Sequence, residues 1–169
     1  MTIYLVVPLL AIVAILQTTI VPHLTVWGVF ADLPLLVVVS WSLLQGPREG
    51  ALWGFVAGLA TDLFSGAPFG AATLAMIAVG FLAGLVQATT HHAHLALYVA
   101  VMFLATIVYD LLFLLVVKVA GDPVGWRVVV DSFVRLILPS ALLNALLTPL
   151  VLLSLRWLYG RFSREEMEW

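Results

Sequence analysis

Apolar residues run along the chain from Ile3 to Leu158, interrupted only by short polar breaks. A helix that crosses a bilayer needs about 20 mostly apolar residues, and the runs lay out six such segments. They fall at residues 3–21, 32–45, 49–64, 70–89, 94–120 and 131–159. Pro22 ends the first. Asp32 is placed to cap the second, with Pro34 in its first turn, and Gln45-Gly46-Pro47 stops it short of a full crossing. Ser65-Gly66-Ala67-Pro68-Phe69-Gly70 is a tight turn, so the third and fourth segments form an antiparallel hairpin. Gly121-Asp122-Pro123 breaks the chain before the sixth, which contains Pro139 and Pro149 and is expected to bend at both. The pattern predicts an all-α, polytopic membrane protein of six transmembrane helices. Residues 1–159 form its single transmembrane domain and residues 160–169 a charged tail.

Composition agrees with this. Of 169 residues, 64% are hydrophobic and 9% charged, too few charges to cover a water-facing surface. Net charge is −2 with no basic patch, so nucleic acid is not an expected partner. Cysteine is absent, which excludes disulfides, thiolate metal sites and thiol catalysis. The first run lacks a basic leader and a small-residue cleavage site, and is expected to be a retained helix. Arg48, Arg156, Arg161 and Arg164 face Lys118 and Arg127 across six spans. That asymmetry puts both termini in the cytoplasm.

A second pattern has a period of four. Gly46, Gly50, Gly54, Gly58, Asp62, Gly66 and Gly70 recur along the third segment and its flanks, answered by Ala72, Gly80, Gly84 and Ala88 in the fourth. Small residues at this spacing let helix backbones approach closely where lipid offers no hydrophobic driving force. Gly50, Gly54, Gly58, Gly80 and Gly84 are therefore the expected helix-packing residues.

Charged residues inside the spans are costly, roughly 2.5–3.5 kcal/mol each on insertion scales. Asp62, Asp110 and Arg135 all fall in the expected outer half of the bilayer and are expected to form a charged network, with Arg135 bridging the sixth span to the fifth or the third. Ser140, Asn144 and Thr148 repeat every four residues on the sixth span. Asn144 lies nine positions from Arg135, about half a turn out of phase. A straight helix points the two to opposite sides, so either the sixth span is packed on both faces or one face meets another protein, with Ser140, Asn144 and Thr148 the candidate partner-binding residues; hydrogen bonding of Asn144 within the bundle is the alternative.

Catalysis is not expected. Tyr109-Asp110 matches half of an aspartyl membrane protease signature, but the other acid, Asp62, lies upstream and in the wrong context. His91-His92-Ala93-His94 has no nearby acid to complete a metal site. No metal or cofactor is expected.

The stretch Gly46-Pro47-Arg48-Glu49-Gly50, followed by Gly54-Phe55-Val56-Ala57-Gly58-Leu59-Ala60-Thr61-Asp62 and the Gly66-Ala67-Pro68-Phe69-Gly70 turn, resembles the central signature of the MreD family. Leu16-Gln17-Thr18-Thr19 in the first span, and Asn144, Thr148-Pro149 and Arg156 in the last, fit the same pattern. The resemblance implies a non-catalytic scaffold of the bacterial cell-elongation machinery in the inner membrane. It implies binding to MreC, a single-span periplasmic coiled-coil protein. It further implies action with MreB filaments, RodA and a class B penicillin-binding protein in lateral peptidoglycan synthesis. It also implies a fold similar to the S component of energy-coupling-factor transporters. A substrate-binding S component of a vitamin transporter is the alternative function. It would need convergent polar and aromatic groups in the outer loops, and residues 22–31, 65–70 and 121–130 supply few.

Overall fold

The computed structural model describes Val13, Gln17 and residues 29–90, 94–121, 125 and 130–165, the last eight of these as backbone only. Apart from Val13 and Gln17, the first expected span lies outside the described residues, as do His91 and His92. Among the described residues every element is helical: α1 Leu33–Gln45, α2 Pro47–Ser65, α3 Ala71–Thr89 and α4 Leu95–Val119 are followed by a π-helical segment Phe133–Ile137 that runs directly into α5 Leu138–Glu165. Among the described residues, three helical stretches are long and apolar enough to cross a membrane, Ala71–Thr89, Leu95–Val119 and Val130–Trp157. Helix α2 has the length, but Arg48, Glu49 and Asp62 make it more polar.

Helix α1 is the core of the bundle. Its 13 residues span about 20 Å, well short of the roughly 30 Å hydrocarbon layer. The deficit has no consequence for lipid contact, because residues 34–43 are all buried. Leu35, Leu36, Val38 and Val39 are fully enclosed and pack with Trp53, Met76 and Met102 from α2, α3 and α4. The outer faces carry the large side chains instead. Leu63 and Phe64 on α2, Leu74 and Phe81 on α3, Leu104 and Leu115 on α4, and Leu142, Leu146 and Leu150 on α5 are exposed. An apolar exterior of this kind suits lipid and not water.

A single residue, Gly46, joins α1 to α2. Its φ of 97° lies in the region that side chains disfavour, and Pro47 follows at the first helical position. Helices α2 and α3 then pack backbone against backbone. A Cβ added at Gly54 would lie 2.5 Å from the Met76 carbonyl oxygen, and one at Gly58 would lie 2.9 Å from the Thr73 nitrogen. Gly50 and Gly80 face each other across the seam, and Gly84 abuts Pro47. The Ser42 hydroxyl of α1 donates to the Gly80 carbonyl and ties α1 to the seam.

The π turn answers Pro139. A proline ring collides with the carbonyl four residues earlier in an α-helix, here that of Arg135. The Leu138 N–H donates to the Phe133 carbonyl, five residues back, and the wider turn accommodates the ring without ending the helix. Pro149 also lies within the continuous α5.

Candidate functional site

The polar residues of the bundle gather at two places. The first is the start of α1. Four helix-start N–H groups ordinarily lack intrahelical partners. Here each backbone group is accounted for. The Asp32 N–H donates to Asn144 Oδ1 at 3.1 Å, and the Leu33 N–H to Gln17 Oε1 at 3.0 Å. Residue 34 is proline and has no N–H. The Leu35 N–H donates to Asp32 Oδ1 at 3.0 Å, and the Leu36 N–H begins the helix ladder on the Asp32 carbonyl. Gln17 Nε2 returns a bond to the Ala31 carbonyl at 3.2 Å. Asn144 Nδ2 reaches on to Thr106 Oγ1 at 3.3 Å, and the Thr148 hydroxyl donates to the Asn144 carbonyl.

This network sits at mid-depth. Thr106 lies within one residue of the midpoint of α4, and Asn144 within one residue of the midpoint of the Val130–Trp157 stretch. Helix α1 therefore begins near the centre of the bundle. Non-helical backbone at that depth is tolerated only where protein groups satisfy it, and the side chains of Gln17, Asp32 and Asn144 do so.

The second place is the α2–α3 turn. Asp62 is buried and accepts from the backbone N–H groups of Gly70 (3.0 Å), Ala72 (2.9 Å) and Thr73 (3.0 Å), and from the Thr73 hydroxyl. Gly70 occupies the N-cap of α3 but has no side chain to cap it. Asp62 supplies the missing cap from the preceding helix, with a carboxylate favourably placed at a positive helix end.

The expected charged network is not formed. Asp62 is turned to α3, and Arg135 is exposed on the outer side of the π segment. No ion pair joins Arg135 to Asp62 or Asp110. Arg135 and Asn144 differ in burial, but the Ser140–Asn144–Thr148 side is not a free surface. Asn144 and Thr148 are fully buried and hold the bundle, while Arg135 faces out. Of that trio only Ser140 reaches an open space.

That space is a cleft of about 320 Å³ between α4 and the π segment. Thr106, Asp110, Phe113 and Leu114 form one wall, on one face of α4; Ser132, Leu136, Ile137 and Ser140 form the other. Phe30 and Asp32, in the entry to α1, close the floor. Asp110 is partly buried in this wall. Among the described residues it makes no hydrogen bond and no ion pair. Ser42 is not legible as a site residue, because its partner is an anonymous backbone atom, and Gln17 stands out only within the Leu16-Gln17-Thr18-Thr19 stretch, with no sign of its contact with the entry to α1. No group of His, Cys, Asp and Glu that could hold a metal ion occurs among the described residues.

Comparison with known proteins gives a single answer. The model of the family described as rod shape-determining protein MreD matches residues 1–161. No curated protein and no solved structure matches the chain. The family match covers nearly the whole length, including the glycine seam, the Asp62 cap and the Asn144 network. The chain, a multi-pass membrane protein of the kind that determines cell shape, belongs to the MreD family.

Proposed function

We propose that this chain is a six-span, non-catalytic scaffold of the cell-elongation machinery that docks MreC in the inner membrane. Through MreC it acts with MreB filaments, RodA and a class B penicillin-binding protein in lateral peptidoglycan synthesis. The observation that supports a scaffold is the use made of the polar residues. Gln17, Asp32, Asp62, Asn144 and Ser42 are all engaged with backbone groups of the bundle. Side chains so placed fix the shape of a surface. None is poised against a second reactive group, as a catalytic pair requires.

Cytoplasmic termini fit the same reading. The α1–α2 corner, the end of α3, the start of α4 and the end of α5 lie at one end of the bundle, where Gly84 meets Pro47 and Arg156 lies 5.5 Å over the Tyr98 ring. Arg48 and Arg156 thus share that end, as cytoplasmic residues do.

Copurification from solubilised membranes tests the proposal. Tagged full-length chain is expected to retain MreC, and its depletion is expected to turn rod-shaped cells round. A chain that retains no MreC and instead carries a tightly held vitamin overturns the scaffold reading.

A further inference from the structure

We infer that the cleft between α4 and the π segment is the seat of a single transmembrane helix of the partner, and that Asp110 is its polar anchor. This rests on the scaffold reading above and names the surface through which it operates.

Three observations converge on the cleft. First, its walls are two helix faces with no third helix between them among the described residues. Phe113 and Leu114 stand on one side, Leu136 and Ile137 on the other. They leave a largely apolar cleft of about 320 Å³ between them. Second, Asp110 projects into it. It lies four residues beyond Thr106, hence about 6 Å from mid-depth, where an unpaired carboxylate is costly. Asp62 caps α3, and Asp32, which also lines the cleft, caps α1 through Oδ1. Third, the hydroxyl of Ser140, across the cleft, makes no hydrogen bond among the described residues. By contrast, Thr61, Thr106, Thr148 and Ser154 each return theirs to the carbonyl four residues back. An acceptor and a free hydroxyl at similar depth call for a donor from outside.

Charge complementarity sets the occupant. It is an apolar helix with one hydrogen-bond-donating side chain, cationic or amide, about 6 Å outward of its midpoint. A lipid headgroup does not reach that depth, and acyl chains bring no donor. A second copy of this chain would have to bring Arg135, which lies closer to the outer end than Asp110 and points away from the cleft.

Site-specific photocrosslinking in the full-length chain, in membranes containing MreC, tests the inference. A photoreactive residue at Phe113 or Leu136 is expected to capture the MreC span, and one at Leu85 or Leu150, on other exposed faces, is not. Asp110→Leu is expected to weaken MreC retention roughly tenfold, with Asp110→Asn retaining most of it. Capture of MreC only from Leu85 or Leu150 overturns the inference and leaves the scaffold reading intact. Capture of lipid alone, or of a second copy of this chain, from Phe113 and Leu136 also overturns it. Unchanged retention in a folded Asp110→Leu chain removes Asp110 as the anchor. Should that variant not fold, the crosslinking positions decide. Absence of MreC from the wild-type preparation removes both readings.

Discussion

Asn144 accepts a 3.1 Å hydrogen bond from the backbone N–H of Asp32, which precedes it by 112 positions. A side chain near the middle of the Val130–Trp157 stretch thus completes the start of α1. The same amide reaches Thr106 on α4, so one residue links three elements at mid-depth.

Asn144→Leu removes this link and leaves a buried N–H without an acceptor. A cost of about 1–3 kcal/mol is expected, read as a lower midpoint of thermal unfolding in detergent. Asn144→Gln is expected to lose part of that stability, since the longer amide can still offer an oxygen. A midpoint for Asn144→Leu equal to the wild type would show that the Asp32 N–H has another acceptor.

The glycine seam makes a second prediction, based on two glycines with opposite requirements. Gly54 has ordinary helical geometry but no space, whereas Gly66 has space but a φ of 66°. Gly54→Ala is expected to destabilise by about 1–3 kcal/mol through overpacking. Gly66→Asn is expected to be nearly neutral, because asparagine tolerates the left-handed conformation. Thermal unfolding of the two variants side by side checks the contrast; equal losses would contradict it.

The two charged residues once expected to pair separate in a third. Asp62→Ala leaves the N–H groups of Gly70, Ala72 and Thr73 without their acceptor and is expected to cost at least about 1–3 kcal/mol. Arg135→Gln is expected to change stability by no more than about 0.5 kcal/mol. Matching losses, and a double variant no worse than either single one, would restore the ion pair.

The hairpin was legible in the sequence because close helix packing leaves a periodic trace: small residues at every fourth position on two adjacent segments. The Asn144 network leaves a fainter trace. Its partners include backbone atoms at residues 31–35, which carry no identity in a sequence, so the Ser140–Asn144–Thr148 repeat marks a polar face without showing what that face meets. Asp62 was visible as a costly acid near a span end. Its role was not, since a cap is normally sought at the N-cap position and here that position is Gly70. Arg135 was misplaced for a related reason. Helical phase relates Arg135 to Asn144 but does not say which of the two faces the bundle, and two nearby acids made the wrong choice look favourable.

Helix α1 has a consequence for how the molecule is made. Its apolar residues enter the membrane before those of α5, yet it is too short to span lipid alone and one N–H at its start lacks an acceptor until Asn144 arrives. The segments between must all be inserted first. The early helices can therefore adopt their sites only provisionally, and a chain interrupted before α5 would hold an open helix end in the middle of the bilayer. Helix α5 locks the first turn of the core from 112 positions downstream, which makes the arrival of α5 a condition for the fold.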